Sequence, residues 1–239
     1  MSLLQGRNNY KEVGDDKQMV QARVRVHKLP AFAGLANAIR GYCPPIASGC
    51  AILDIGCGDG FFLDQVTNAA KVPCLGVGVD VSKGALAKAA KSHPSLLFIR
   101  TDAAHSRLPF GDSAFGMVMS VFAPRPVGEI RRVLRDDGSW LIVTATQDHL
   151  KEIRQFLPLA AIGTGKLDTP TSEFFSIQSS GVSVSELEVA RPDLVSLVEM
   201  SPSVYRLRRE FGDKWTDRLP ERLSVTFSFS ITLLAKGVR

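Results

Sequence analysis

The chain has 239 residues, 45% hydrophobic and 22% charged, enough to bury one large core without disulfide or metal staples. Its four cysteines form no CxxC pair, which argues against a disulfide framework or a metal site and for a reduced, cytoplasmic protein; the net charge of +5 permits a polyanionic partner without requiring one. The opening stretch GRNNYKEVGDDKQ is too polar for a secretory signal, and no apolar run approaches the roughly 18 residues of a membrane span, so no membrane association is expected.

In chain order, residues 1–14 read as a lead-in. DDKQMVQARVRVHKL (15–29) carries an acidic start and places Met19, Val20 and Val24 on one helical face. Pro30 interrupts it, and AFAGLANAIRGY (31–42) reads as a second helix, closed by Gly41 and the Pro44–Pro45 pair. Strands and helices then alternate: strands at Ala51–Ile55, 74–79, 96–100, Phe115–Val121 and 140–146, and helices at 61–70, 83–91 and 127–134. Such alternation over about 100 residues implies a parallel sheet covered on both faces and joined by right-handed crossovers.

Past Asp148 the pattern changes. A helix is expected at 149–157, a Gly/Thr-rich loop at 160–170, one or two strands at 174–189, and helices at 191–200 and 204–215 split by Pro202. LSVTFSFSITLLA (223–235) is an alternating strand too apolar to stand alone, so it should complete the same sheet. The expected organisation is an N-terminal helical segment (1–45), a cofactor-binding core (46–148) and a C-terminal part (149–239) that adds a substrate-side insertion and the final strands.

ILDIGCGDGFF (52–62) directly follows the first strand, where an open parallel sheet binds its ligands. Its glycines, Gly56, Gly58 and Gly60, follow G-x-G-x-G and not the dinucleotide G-x-G-x-x-G. The threaded acids Asp54 and Asp59 are poorly suited to pyrophosphate. They suit a ligand that carries positive charge and hydrogen-bond donors, as S-adenosylmethionine does with its sulfonium and ammonium groups. Asp80, next to Val81 at the end of the second strand, stands 20 residues after Gly60, where a carboxylate can accept from both ribose hydroxyls. Asp102, next to Ala103 after the third strand, could accept from the adenine amino group. Cys57 reads as a small buried filler.

The glycine trio, Asp80 and the segment from Asp102 to Leu108-Pro109-Phe110 occur in the order of the class I S-adenosylmethionine-dependent methyltransferases, which the chain resembles from 46 to 146. The resemblance implies a Rossmann-like α/β fold, a mostly parallel seven-stranded sheet with helices on both faces. A dehydrogenase or a non-catalytic binding module built on the same scaffold is the competing reading.

The flanks GDDKQMVQARVRV, VFAPRP, TATQDHLKEI and LVEMSPSVYRLRRE resemble, more narrowly, the bacterial 23S ribosomal RNA guanine-N1 methyltransferases. That resemblance implies ribosomal RNA as partner, and neither DNA nor a membrane; a dimer stays open. It implies cofactor contacts from Gly56, Gly58 and Asp59, from an aromatic that falls on Phe32, where the family more usually has tyrosine, and from a histidine that falls on His149. It also implies closure of 200–207 over the target pocket. The family's N-terminal zinc module has no counterpart here, so no metal is expected. Asp59 and Glu199 are candidate bases. The clusters Arg206/Arg208/Arg209 and Arg125/Arg131/Arg132/Arg135 could bind phosphate or simply form solvated faces. A small-molecule methyltransferase would share the whole cofactor core.

Overall fold

The structure, a computed structural model, describes residues 14–45, 47–162 and 173–237. The expected lead-in therefore lies outside the described residues except for Gly14, as does most of the expected 160–170 loop.

Two helices come first, α1 (Lys17–Val26) and α2 (Pro30–Tyr42). Asp16 caps α1 by accepting from the Met19 N–H at 2.9 Å. Pro30 does not merely interrupt: it begins α2, where its missing N–H costs nothing. The alternating core follows as β1 (Ala51–Ile55), α3 (Phe61–Ala69), β2 (Leu75–Asp80), α4 (Lys83–Ser92), β3 (Leu97–Arg100), β4 (Phe115–Val121), α5 (Val127–Val133) and β5 (Leu134–Ala145). The chain closes with β6 (Phe175–Ala190), α6 (Arg191–Glu199), α7 (Ser203–Phe211) and β7 (Arg222–Lys236).

The seven strands form one sheet in the order β3-β2-β1-β4-β5-β7-β6. The first five are parallel, and β7 enters antiparallel between β5 and β6. Strand order reverses at β1/β4, so the ligand crevice of such a sheet opens beyond the carboxyl ends of those two strands.

Alternation along each strand builds two cores. Ile52, Met117, Leu141, Val143, Phe227 and Phe229 face α2, α3, α6 and α7. Leu53, Ile55, Val118, Trp140 and Ile142 face α5 on the other side. Trp140 is fully buried and its indole N–H donates to Ser120 Oγ at 3.1 Å, so the polar atom does not go unpaired.

Two local expectations change and one is narrowed. The 149–157 segment is not an α-helix: it holds turns and a short 3-10 turn at Ile153–Gln155. Leu150 has φ 54°, outside helical space, and its N–H is drawn to Thr226 O on β7. Glu152 grips the same residue through the Thr226 N–H and hydroxyl, so sheet pairing replaces the helix that the apolar spacing suggested. The stretch after Glu173 is one 16-residue strand, β6, whose long pairing with β7 absorbs a register shift near Ile177–Ser179. Finally α7 ends at Phe211 because Gly212, at φ 59°, turns the chain, and 212–218 continue as a 3-10 helix.

Candidate active site

The glycine turn is shaped by close approach. Gly56 takes φ 70°, and a Cβ there would fall 2.7 Å from the Ala123 Cβ, so the turn after β1 and the turn after β4 are packed backbone against backbone. Gly60 caps α3 at φ 81°; a Cβ would strike the Phe98 ring at 2.9 Å.

Beyond these turns lies a crevice of about 200 Å³. Gly56, Gly58, Asp80, Val81, Asp102 and Ala103 line it, which brings together six of the eleven residues expected to hold a cofactor. Asp80 sits at its centre of charge. One carboxylate oxygen accepts from the Gly58 N–H at 2.9 Å and the other from the Ser82 N–H at 2.8 Å, so this side chain ties the glycine turn to the start of α4. Burial pushes its pKa up, against those two amides, which pull it down; Asp15 raises it further and Arg23 lowers it. Asp102 accepts from the Ala104 and His105 N–H groups, and His105 Nδ1 lies 3.1 Å from its other oxygen.

The remaining five lie elsewhere. Asp54 is buried behind the turn, with Oδ1 unpartnered, and its pKa is raised well above the ordinary value by burial and by the Asp80 and Asp59 charges. Asp59 turns away from the crevice to His27 Nδ1, 3.2 Å distant. Burial raises its pKa, but the His27 hydrogen bond and charge, the Phe61 amide and Arg23 outweigh that and hold it below the usual range. Gly60 packs on Phe98 and His93. Phe32 is a core side chain between His27, Phe227 and Phe229, where a phenyl ring leaves no hydroxyl to satisfy. His149 is buried against Phe229, ring centroids 4.6 Å apart, and its Nδ1 accepts from the Ser228 N–H at 3.3 Å.

Burial, reinforced by Arg154 and opposed by Glu152, lowers the His149 pKa from 6.5 to about 4. Below its unfolded pKa the unfolded chain takes up a proton that the folded imidazole refuses, so stability present above pH 6.5 is lost as pH falls toward 4. Chemical denaturation at pH 7 and pH 5 checks this. The drop in unfolding free energy between the two should be smaller in His149→Gln than in the wild type by about 2 kcal/mol.

Sequence reasoning missed two sets of crevice residues. One is Gly14, Asp15 and Arg23, which lie over the mouth. Asp15 O accepts from the Ser82 hydroxyl at 2.9 Å, and the Asp15 carboxylate pairs with Arg23 at 2.6 Å. The Arg23 side chain passes 3.6 Å from where a Cβ on Gly58 would stand. In the sequence, the apolar spacing of ARVRV points to a packed helix face and gives no sign that Arg23 reaches the glycine turn. The other set is Val121, Phe122, Ala123 and Pro124, the turn after β4.

The arrangement tests a specific ligand. Among the described residues, the crevice-lining side chains include three carboxylates, Asp15, Asp80 and Asp102, and one cation, Arg23. A pyrophosphate would meet the wrong sign of charge. A sulfonium nucleoside bearing one ammonium and one carboxylate fits it. Residues 52–138 match the methyltransferase domain family. A 23S rRNA (guanine(748)-N(1))-methyltransferase of Streptomyces fradiae is 31% identical over 230 residues, 93% of this chain and 81% of that protein. A Micromonospora griseorubida protein assigned as a 23S rRNA (guanine-N(1)-)-methyltransferase is 34% identical over 226 residues, 86% of this chain and 74% of that protein.

The chain belongs to the 23S rRNA (guanine-N1) methyltransferase family. It is an S-adenosylmethionine-dependent methyltransferase. The fold agrees: a geranyl diphosphate methyltransferase solved in complex with S-adenosylmethionine superposes with a TM-score of 0.54 at 15% identity, covering 95% of this chain and 93% of that one. In this methyltransferase no group of three or more His, Cys, Asp or Glu side chains that could hold a metal occurs among the described residues. None of its described helices is long and apolar enough to cross a membrane. Cys57 is buried in the glycine turn, and burial pushes its thiol pKa up.

Proposed function

We propose that this methyltransferase places a methyl group on N1 of a guanine in 23S ribosomal RNA. The observation that carries the reading is the extent of the family similarity. It runs over 86–93% of the chain, well past the 52–138 core that methyltransferases with unrelated substrates share. The flanks beyond that core are shared with the rRNA relatives, and function is argued from such family-specific parts and not from the common fold.

Bound S-adenosylmethionine supplies an electrophilic methyl carbon on a sulfonium. The chain's own residues bind and orient. The Asp80 carboxylate, already fixed by two amides, keeps lone pairs for the ribose hydroxyls, and Arg23 is the lining cation for the amino-acid carboxylate. Asp102 and the Ala103 backbone flank the place of the adenine. Of the acids considered as a base for guanine N1, Asp59 is engaged with His27, and Glu199 pairs with Arg208 at 3.2 Å. Positioning of acceptor against donor is therefore the main contribution of the protein. The basic clusters are largely spent as well. Arg132 bonds Glu129, Asp112 and the Leu108 and Phe110 carbonyls; Arg135 pairs with Asp137, and Arg206 with Glu210.

Tritiated methyl transfer onto undermodified 23S RNA, run beside phenol, quinone and amine acceptors, tests the substrate. The expected result is label in RNA, recovered as 1-methylguanosine after digestion. Label confined to the small acceptors rejects the reading.

A further inference from the structure

Phe122 is the odd residue of the crevice. It follows β4 directly and adopts φ 54°, a conformation that a bulky aromatic side chain rarely occupies. The backbone is held there from two directions. Its N–H donates to Val143 O at 3.0 Å, and the next residue, Ala123, is pressed against Gly56. Such strain persists only where surrounding structure imposes it, and it gathers at ligand sites.

The consequence of the strained backbone is an aromatic ring that leaves the core. Phe122 is 40% exposed, whereas Phe62 and Phe229, which meet it edge-on and tilted at 6.2 and 5.4 Å, are buried. β4 is buried on both faces, Met117, Met119 and Val121 packing into one core and Val118 into the other, so an extended residue at this point would turn to the Val118 side. The left-handed turn instead leaves the ring backed by two phenyl groups and partly open to solvent, on the same turn that walls the cofactor crevice.

Resting on the ribosomal-RNA reading, we infer that the exposed Phe122 ring is the platform on which the target guanine stacks after leaving its RNA. A base must be unstacked from its neighbours to reach a methyl donor held in a crevice, and an aromatic side chain replaces the lost stacking. The two backing phenyl rings hold the platform rigid, so little side-chain entropy is lost when a base lands on it. The acceptor is thus a planar purine held by its face, beside the turn that meets Gly56.

Four proteins test this: wild type, Phe122→Gly, Phe122→Leu and Phe122→Trp. Each is measured for thermal midpoint, for S-adenosylhomocysteine affinity by calorimetry, and for kcat/KM on undermodified 23S RNA. Glycine is at ease at φ 54°, so in Phe122→Gly the relief of backbone strain should offset part of the packing lost against Phe62 and Phe229 and the variant should still fold. Loss of the platform should lower kcat/KM in the Gly and Leu variants by roughly tenfold to a hundredfold, while the Trp variant stays within about threefold of wild type. Phe122 shares the crevice lining, so cofactor affinity should change in the variants, but far less than kcat/KM. Full RNA activity in Phe122→Leu overturns the inference, and so does a loss of cofactor affinity that parallels the loss of activity. If the wild type itself labels only small acceptors, the ribosomal reading falls and the platform with it.

Discussion

Replacing Asp80 by alanine should weaken S-adenosylmethionine binding at least about a hundredfold, because the change removes two charge-assisted hydrogen bonds to the ribose, each worth about 1.5–3 kcal/mol. The structure enlarges the expectation beyond the ribose. The same carboxylate holds the Gly58 and Ser82 amides, so alanine also releases the glycine turn from α4 and leaves two N–H groups in a mostly buried place without their acceptor. Asp80→Asn separates the two roles. Its amide keeps one acceptor oxygen and can satisfy one of the two N–H groups, so the thermal midpoint should fall less than in Asp80→Ala. Cofactor affinity should still drop at least about tenfold, since the charge that favours donors is gone. Calorimetric titration with thermal unfolding of both variants measures this. Wild-type affinity in Asp80→Asn would show that the carboxylate serves the loop and not the ligand.

Much of the fold could be read because two periodicities take turns. Residues such as ILDI, LGVGVD and FGMVMSV announce buried parallel strands, and each is followed by turn and helix signals at the spacing a crossover needs. The 149–157 segment could not be read this way. Its apolar residues do sit at helical spacing, but what fixes them is Thr226, far away in sequence, which bonds both Leu150 and Glu152. Local propensity loses to a long-range pairing of that kind.

The same division runs through the crevice. Asp80 was legible because an acid at a strand end has a standard use, and Gly56 because only glycine permits the contact with Ala123. Phe32 and His149 fell on family positions, yet here they pack with Phe227 and Phe229 as one aromatic cluster. Phe122 looks like an ordinary strand residue in VFAPRP; only its φ value reveals that the ring is turned outward. Asp59 reads as a ligand group from its place in the glycine loop, and the sequence does not show that its carboxylate meets His27, from the α1–α2 connection. In each case the missing information was the identity of a partner distant in sequence.

Arg23 is the residue whose role depends most on such a partner, and its test can be made selective. Among the described residues it is the cation of a crevice whose other charged side chains are carboxylates, and it runs beside the Gly58 turn while paired to Asp15. The Asp15 pair is partly exposed, with side chains 25% and 21% accessible, and such pairs contribute little on their own. Exchange of Asp15 for a ligand carboxylate therefore costs little and leaves the guanidinium in the same fork geometry. Replacing Arg23 by methionine keeps the length and the apolar stem of the side chain and removes only the charged head. Binding of S-adenosylmethionine and S-adenosylhomocysteine should weaken about tenfold to a hundredfold, the effect of losing one charged hydrogen-bonded contact of about 1.5–3 kcal/mol. Methylthioadenosine carries the same nucleoside and sulfur but no amino-acid carboxylate, so its affinity should be unchanged. An equal loss for all three ligands would make Arg23 an architectural residue of the crevice wall, acting through Asp15 and the Met200 carbonyl, which its guanidinium also approaches at 3.4 Å. A loss confined to the two amino-acid ligands would assign it the carboxylate and fix the direction in which the cofactor lies: adenine toward Asp102, amino acid under α1, and the methyl group between them, beside the turn that carries Phe122.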